Sequence, residues 1–191
     1  MLQGKRVVLL PMESKQTAEL FEAGRYAEIW EYMSIRVKTY EDMGSVVKNA
    51  LAAKEQGAEF PFVVKDLETN SIIGSTRLLN ISKENKNAEI GWTWYTPSVW
   101  RSRVNTECKY LLLQHCFEEL DMIRVQFKTD SRNIRSQKAI ARLGALKEGV
   151  LRKDRIVAHN YVRDSVVFSI LRDEWPTVKV RLEGFLKNQK R

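Results

Sequence analysis

Between Ile90 and Thr129 the chain passes from a tryptophan-rich alternating segment, AEIGWTWY, through a short basic loop, VWRSRVNTE, and an apolar helical stretch into a second alternating segment, IRVQFKT. That order sets the start of a helix beside the end of a strand. The first turn of a helix leaves backbone N–H groups unpaired and carries partial positive charge. The loop residues Arg101, Ser102, Arg103, Val104, Asn105 and Thr106 are therefore suited to hold a phosphate-bearing ligand. Downstream, NIRSQKAIARLGA opens another helix with the polar Asn133, a residue type that caps helices, and sets Ser136 one turn inside it. Glu89 precedes Ile90 on the first segment and faces the opposite side of the strand.

The elements that must position these residues are legible as a run of strands and helices. Arg6 to Pro11 reads as a first strand ended by its proline, and Ser14 can cap a helix beginning at Lys15. The stretch to about Tyr32 reads as helical or broken helix. From Glu41 to Gln56, Met43, Val46, Val47, Ala50 and Leu51 recur at helical spacing, with Gly57 as the stop. Phe60 to Lys65, Ile72 to Ile81 and Ala88 to Tyr95 read as strands divided by turn-forming residues, an antiparallel meander. A helix over Asn105 to Leu120, a strand over Ile123 to Thr129 and a helix over Ile134 to Leu143 then form a βαβα unit. Its crossover makes the strands near 88–95 and 123–129 parallel, splayed where a ligand enters. Ala145 to Asp154 and Asp164 to Leu171 read as two strands around the loop RIVAHNYV, and a basic terminal helix follows from Trp175. The expected fold is α/β in the α+β sense: one domain over residues 1–191, with a mixed, mostly antiparallel sheet of about seven strands flanked by helices.

With 191 residues, 43% of them hydrophobic, the chain can bury one substantial core, and nothing in its length demands a second. Lys and Arg outnumber Asp and Glu by 32 to 24, a formal charge of +8 that attracts phosphates or acidic surfaces. The basic residues are spread along the chain, tightest at 152–155 and 187–191, so nucleic acid is not the expected partner. The apolar stretch VVLLPM near the start is far shorter than a signal segment or a membrane span, and a cytoplasmic location is expected, with no membrane partner. Cys108 and Cys116 share one helix, which sets their Cα atoms roughly 12 Å apart, too far for a disulfide. No Cys or His set suits zinc, so no metal is expected. Neither histidine has a Ser or Cys partner at a recognisable spacing. His115 reads as a partly buried packing residue, and His159 as an exposed loop residue.

Taken in order, LQGKRVVLLPM, EIWEYM, AEIGWTWYTPSVWRSRVNTE, NIRSQKAIARLGALKEGVLRKDRI and RDSVVFSILRDEWP resemble the GNAT N-acetyltransferases, and most closely their RimJ/RimL-like branch. The resemblance covers nearly the whole chain. It implies transfer of an acetyl group from acetyl-coenzyme A, a co-substrate, to a primary amine on a small molecule or a protein N-terminus, by direct attack in a ternary complex. It implies that the loop from Arg101 to Thr106 binds the pyrophosphate, that the backbone of Trp94, Tyr95 and Thr96 pairs with the pantetheine arm, and that Asn133 contacts that arm. Glu89 would accept the amine proton through water, and Ser136 would donate to the leaving sulfur. The alternatives for these two are a carboxylate paired with a basic residue and a helix-packing serine. By resemblance the segments from about Arg25 to Tyr40 and from Arg155 to Arg163 would shape the acceptor pocket, with Trp30, Tyr32 and Tyr40 as its walls, and Trp92, Trp94 and Trp100 would line a hydrophobic slot, although packing accounts equally well for such aromatics.

The loop departs from the family pattern. Where that pattern has Gln or Arg, two residues, Gly, one residue, then Gly or Ala, this chain has Trp100, Arg103 and Asn105. Arg103 must turn its side chain aside or offer it to phosphate. The alternative to an enzyme is a catalytically weak coenzyme A-binding sensor or interaction protein. Dimers are common in the resembled branch, and the C-terminal edge strands could serve a homodimer, although no residue demands one.

Overall fold

The computed structural model describes residues 1–188, without the side chains of His159 and Asn188, so the expected exposure of His159 and most of the basic group at 187–191 lie outside the described residues. Eight strands form one sheet, in the spatial order β1 (Leu2–Gln3), β2 (Val7–Pro11), β3 (Glu59–Asp66), β4 (Ser71–Ser82), β5 (Asn87–Tyr95), β6 (Arg124–Asp130), β8 (Tyr161–Leu171) and β7 (Leu146–Val157). The additional strand is β1 (Leu2–Gln3), which pairs antiparallel with β2 (Val7–Pro11) and is too short to show periodicity. A single turn of 3-10 helix at Ser14–Gln16 precedes α1 (Thr17–Gly24). Here the expected cap is corrected. Glu13 is the cap residue, its N–H donating to Gln16 Oε1 at 2.8 Å, while the Ser14 carbonyl accepts from Thr17 Oγ1 at 2.7 Å.

Helix α2 (Tyr40–Glu55) begins on a capping box in which Thr39 and Asp42 satisfy each other's backbone N–H groups. Its buried face is Met43, Val46, Val47 and Ala50. β3 (Glu59–Asp66), β4 (Ser71–Ser82) and β5 (Asn87–Tyr95) form the antiparallel meander. α3 (Val104–Gln114) then crosses to β6 (Arg124–Asp130), which lies parallel to β5. The expected helix to Leu120 is α-helical only to Gln114. It continues as a π-helical turn, His115–Glu119, that keeps Cys116 and Phe117 buried.

α4 (Ile134–Leu143) ends at Gly144, whose φ of 109° is left-handed and favours glycine. β7 (Leu146–Val157) and β8 (Tyr161–Leu171) run farther toward each other than expected, and the loop RIVAHNYV shrinks to one 3-10 turn because β pairing extends to Val157 and Tyr161. α5 (Trp175–Asn188) closes the described chain. No helix among the described residues is long and apolar enough to cross a membrane.

Two hydrophobic clusters sandwich the sheet. One, including Val104, Cys108, Leu112, Phe127, Phe168 and Leu182, joins it to α3, α4 and α5. The other, including Leu20, Trp30, Met43, Val47 and Trp94, joins it to α1 and α2. The strand alternation required by this arrangement is visible at the end of β5, where Trp94 enters the second cluster and Tyr95 the first. β4 and β5 approach so closely at Gly74 that a Cβ there would lie 2.2 Å from the Trp94 carbonyl oxygen, a backbone atom that cannot step aside. Gly74→Ala is expected to cost about 1–3 kcal/mol by forcing the strands apart. Chemical denaturation would measure it, and an unchanged midpoint would show that the strands can move.

Candidate active site

β5 and β6 pair only where Asn87, Ala88 and Glu89 face Arg124, Val125 and Gln126. Beyond Glu89 the strands diverge, and a cleft of about 480 Å³ opens between them, with further walls from α3, α4 and the segment around Tyr32. β5 is irregular at this point. Its register against β4 shifts between Ser75 and Arg77, and Trp92, opposite the shift, has φ of 49°. A non-glycine residue held there stores about 1–3 kcal/mol of strain, and such a bulge bends the strand and re-aims its side chains. The Arg77 guanidinium lies 4.4 Å from the centre of the Trp92 ring and pairs with Glu59 at 2.8 Å, fixing the bulged residue in place.

One part of the cleft is built from the start of α3 and from α4. Arg101 takes φ of 62°, turning the chain into the helix. Ser102 Oγ donates to the Val99 carbonyl at 2.6 Å and accepts the Val104 N–H at 3.2 Å. The N–H groups of Arg103, Asn105 and Thr106 have no hydrogen-bond partner among the described residues. The Arg103 side chain points aside, its guanidinium 3.6 Å from Glu68 in the turn after β3. Arg135 covers the Trp100 ring at 4.2 Å, and Arg142 donates to Thr106 Oγ1 at 2.6 Å, joining α4 to the first turn of α3. Asn105, which carries one of these unpaired amides, lines the cleft together with the cations Arg101, Arg135 and Arg142, an arrangement that holds a polyanion, whereas Ser102, Arg103, Val104 and Thr106 are not among its lining residues.

Asn133 caps α4, its Oδ1 accepting the Ser136 N–H at 2.9 Å, and both residues line the cleft. The Asn133 amide nitrogen remains free of partners among the described residues. Trp94 and Tyr95 also line the cleft, while Thr96 is buried outside its walls, with its N–H given to the Ile73 carbonyl at 2.8 Å. Tyr95 lies against Cys108. Burial pushes the phenol up, and pushes the Cys108 thiol up to about 12, so neither ionises near neutrality.

The other wall carries Glu89. This carboxylate is 5% exposed, and its Oε2 accepts from Asn80 Nδ2 at 3.2 Å and Gln126 Nε2 at 2.9 Å, with Lys128 Nζ 3.6 Å away. Oε1 has no hydrogen-bond partner among the described residues. A carboxylate held through one oxygen and open at the other can take a proton from an incoming group. Tyr32 and Trp92 line the same cleft. Trp30 sits elsewhere: it is buried against Trp94, with ring centres 5.3 Å apart, and its Nε1 donates to the Gly24 carbonyl at 2.7 Å. Tyr40, at the first position of α2, is half exposed and packs edge-on against Phe21. His115 lies off the cleft, its Nδ1 2.8 Å from Glu119.

Several cleft residues escaped the sequence reading. Lys109 on α3 is 5% exposed, and its ammonium donates to Thr93 Oγ1 at 2.5 Å and lies 5.9 Å from the Phe127 ring. No carboxylate pairs with it among the described residues. Burial pulls its pKa down to about 7. A lysine within the apolar run CKYLLL, one turn past Asn105, was the available signal. Lys128 and Asp130 also line the cleft and were not foreseen, whereas Arg155 and Arg163, which line it too, bound the segment that the family resemblance places at the acceptor pocket. Their convergence depends on pairing among β6, β7 and β8, which spacing along the chain does not encode. Among the described residues no group of three or more His, Cys, Asp or Glu side chains is placed to hold a metal ion.

Comparisons with known proteins agree with this geometry. Residues 6–146 match the family described as Acetyltransferase (GNAT) domain. The uncharacterized N-acetyltransferase p20 of Bacillus licheniformis is 30% identical over 178 residues, 91% of this chain and 97% of p20. The solved GCN5-related N-acetyltransferase of Brucella melitensis superposes with a TM-score of 0.90 at 25% identity, covering 97% of this chain and 84% of that one. The RimJ protein of Mycobacterium smegmatis, solved in complex with CoA-disulfide, shares the fold with a TM-score of 0.79 at 22% identity, covering 94% and 88% of the two chains. On sequence and fold together, the chain belongs to the GNAT acetyltransferase family and is an acyltransferase.

Proposed function

We propose that this acetyltransferase moves an acetyl group from acetyl-coenzyme A to a primary amine by direct attack in a ternary complex. The observation that carries the reading is the divergence of β5 and β6 immediately beyond Glu89, with the open start of α3 contributing another wall of the same cleft. The residues fit the co-substrate. The unpaired N–H groups of Arg103, Asn105 and Thr106, with Arg101, Arg135 and Arg142, would hold its pyrophosphate, and the outward turn of the Arg103 side chain toward Glu68 leaves that approach open. The β6-facing edge of β5 around Trp94 and Tyr95 would pair with the extended pantetheine arm, and the free amide nitrogen of Asn133 would donate to it.

Glu89 would take the proton of the amine, directly or through water, at its open Oε1. Ser136 would supply the proton that the departing thiolate accepts. Tyr32 and Trp92 would line the approach of the acceptor. No covalent enzyme intermediate is needed, since both substrates can occupy one cleft. The acyltransferase family and the absence of a membrane-spanning helix among the described residues support a cytoplasmic enzyme. Exposed Val150, Leu151 and Ile156 on the edge strand β7 support a homodimer through that edge.

Calorimetry with acetyl-coenzyme A tests the reading. The wild type should bind, Arg103→Gly should change affinity by less than about threefold because its side chain already points away, and Asn133→Ala should weaken binding by about tenfold. Asn133→Asp keeps the helix cap while removing the amide donor. It should weaken binding without the roughly 1 kcal/mol loss of stability expected of Asn133→Ala. An absence of wild-type binding that Arg103→Gly restores would instead identify a closed loop and a non-catalytic protein.

A further inference from the structure

The β7–β8 hairpin places two arginines directly opposite each other, Arg155 on β7 and Arg163 on β8, and both line the cleft. Like charges in that register repel, so the arrangement disfavours folding by itself. The nearby acids do not resolve it evenly. Asp154 accepts from Arg155 Nε at 3.2 Å and from Ser165 Oγ at 2.7 Å. Asp130 is taken by Arg132, whose Nε and Nη2 reach it at 3.0 and 2.7 Å and whose N–H reaches it at 2.9 Å. Arg132 in turn lies over the rings of Tyr161 at 3.5 Å and Tyr32 at 5.7 Å, so it is occupied on its face as well as its edge.

Arg163 is left with its Nε donating to Ser165 Oγ at 2.9 Å. It is 8% exposed, and its two terminal nitrogens have no hydrogen-bond partner among the described residues. Burial and the charge of Arg155 disfavour its cationic form, while Asp130, Asp154 and Glu89 act in the opposite direction, and Glu89 lines the same cleft as Arg163. A buried guanidinium with an open fork is matched by a planar anion that can accept two parallel hydrogen bonds.

Resting on the acetyltransferase reading, we propose that Arg163, with Arg155 beside it, is a clamp for an anionic group on the acceptor, so that the preferred substrates are amines that also carry a carboxylate. The amine would lie toward Glu89 and the carboxylate toward Arg163. In the transfer an N–C bond forms, the C–S bond of the thioester breaks, the amine gives up a proton and the departing thiolate gains one. Polyamines and uncharged amines would leave the Arg163 fork without an anionic partner, and the lost paired hydrogen bonds set the discrimination. A free amino acid and a peptide whose N-terminal residue is followed by an acidic one present the same chemistry.

The test measures thiol release with matched acceptors: free L-amino acids against their amides, short peptides with Glu against Gln at the second position, and spermidine. The wild type should favour the carboxylate member of at least one pair by about 10- to 100-fold in kcat/KM. Which pair responds tells the free amino acid from the peptide. Arg163→Gln should bring that ratio close to one, Arg163→Lys should retain part of it, and acetyl-coenzyme A affinity measured by calorimetry should stay unchanged in both. A preference for the amides or spermidine, or a carboxylate preference that survives in Arg163→Gln, overturns the clamp. Acetyl-coenzyme A binding with no turnover of any acceptor also overturns it while leaving the co-substrate site intact, whereas failure of the wild type to bind acetyl-coenzyme A removes the acetyltransferase reading beneath it.

Discussion

Replacing Glu89 with Gln is expected to lower kcat/KM for acetyl transfer by about 10²- to 10⁴-fold, the range supplied by a positioned general base. The amide keeps the size of the carboxylate and can still accept a hydrogen bond, but it cannot take a proton. Acetyl-coenzyme A affinity should remain within about twofold of wild type, because Glu89 is not among the groups proposed to hold the pyrophosphate or the pantetheine arm. The substitution has a structural cost as well. Asn80 and Gln126 both donate to Oε2 and Lys128 lies near it, so a misplaced amide NH₂ leaves a donor facing donors, at a cost of about 1–3 kcal/mol. Thermal melting therefore has to accompany the kinetics. A folded Glu89→Gln protein that retains wild-type turnover would assign Glu89 to the sheet alone, as a carboxylate that holds Lys128 and the β5–β6 junction.

Lys109→Met is expected to raise stability by about 1–4 kcal/mol at neutral pH, and to lower turnover. The buried ammonium has Thr93 as its hydrogen-bond partner and no carboxylate among the described residues, so its desolvation is poorly compensated. Methionine fills similar volume and removes the charge. The pH dependence follows from the folded pKa of about 7 against the ordinary value of 10.5. Between those values the unfolded chain binds the proton that the folded chain has released, so wild-type stability rises with pH across that window. At and below about pH 7 the folded state must bury the charged form and the penalty is complete. Above about pH 10.5 neither state carries the proton and the penalty is gone. The stabilising effect of Lys109→Met should thus be largest near or below pH 7 and shrink through pH 10, as read by chemical denaturation at several pH values. A lower midpoint in the variant would mean that the bond to Thr93 and the face of Phe127 outweigh desolvation.

The turnover loss rests on placement. Lys109 and Thr93 line the cleft where β5 leaves β6, and Thr93 Oγ1 is also 2.7 Å from Thr76 Oγ1, so the amine organises polar groups across two strands beneath the site. A group that destabilises the fold and yet occupies the floor of the cleft is of the kind retained for function. Wild-type kinetics in a stabilised Lys109→Met protein would remove that role.

Residue types and their spacing are enough to read the local elements and their order. Strand alternation in AEIGWTWY and IRVQFKT, the apolar spacing of α2, the Asn133 cap and the Gly144 stop each depend on residues within a few positions of one another. For the same reason the parallel pairing of β5 and β6 was legible, since a helix between two strands requires a crossover. Family resemblance, rather than pattern, then assigned roles to Glu89, Asn133 and Ser136. Local chemistry also misplaced details: Ser14 is a good cap type, but Glu13 with Gln16 closes the first turn, and β7 and β8 extended through a segment that reads as loop because pairing between strands outweighed its weak local preference.

Which way the side chains point and what meets across the sheet depend on packing between segments far apart in the chain. Arg103 turns toward Glu68, in a turn far away in sequence, and so leaves the helix start open. Trp30 enters the core against Trp94 instead of the cleft, because the segment that carries it folds beneath α1 and α2. Lys109 loses its water through burial by strands on either side, and Arg163 reaches the cleft only because β8 lies between β6 and β7. Hydrophobic periodicity specifies which face of an element is buried. The partners on that face, and hence the charge and desolvation of the cleft, arise from long-range packing that no window of sequence contains.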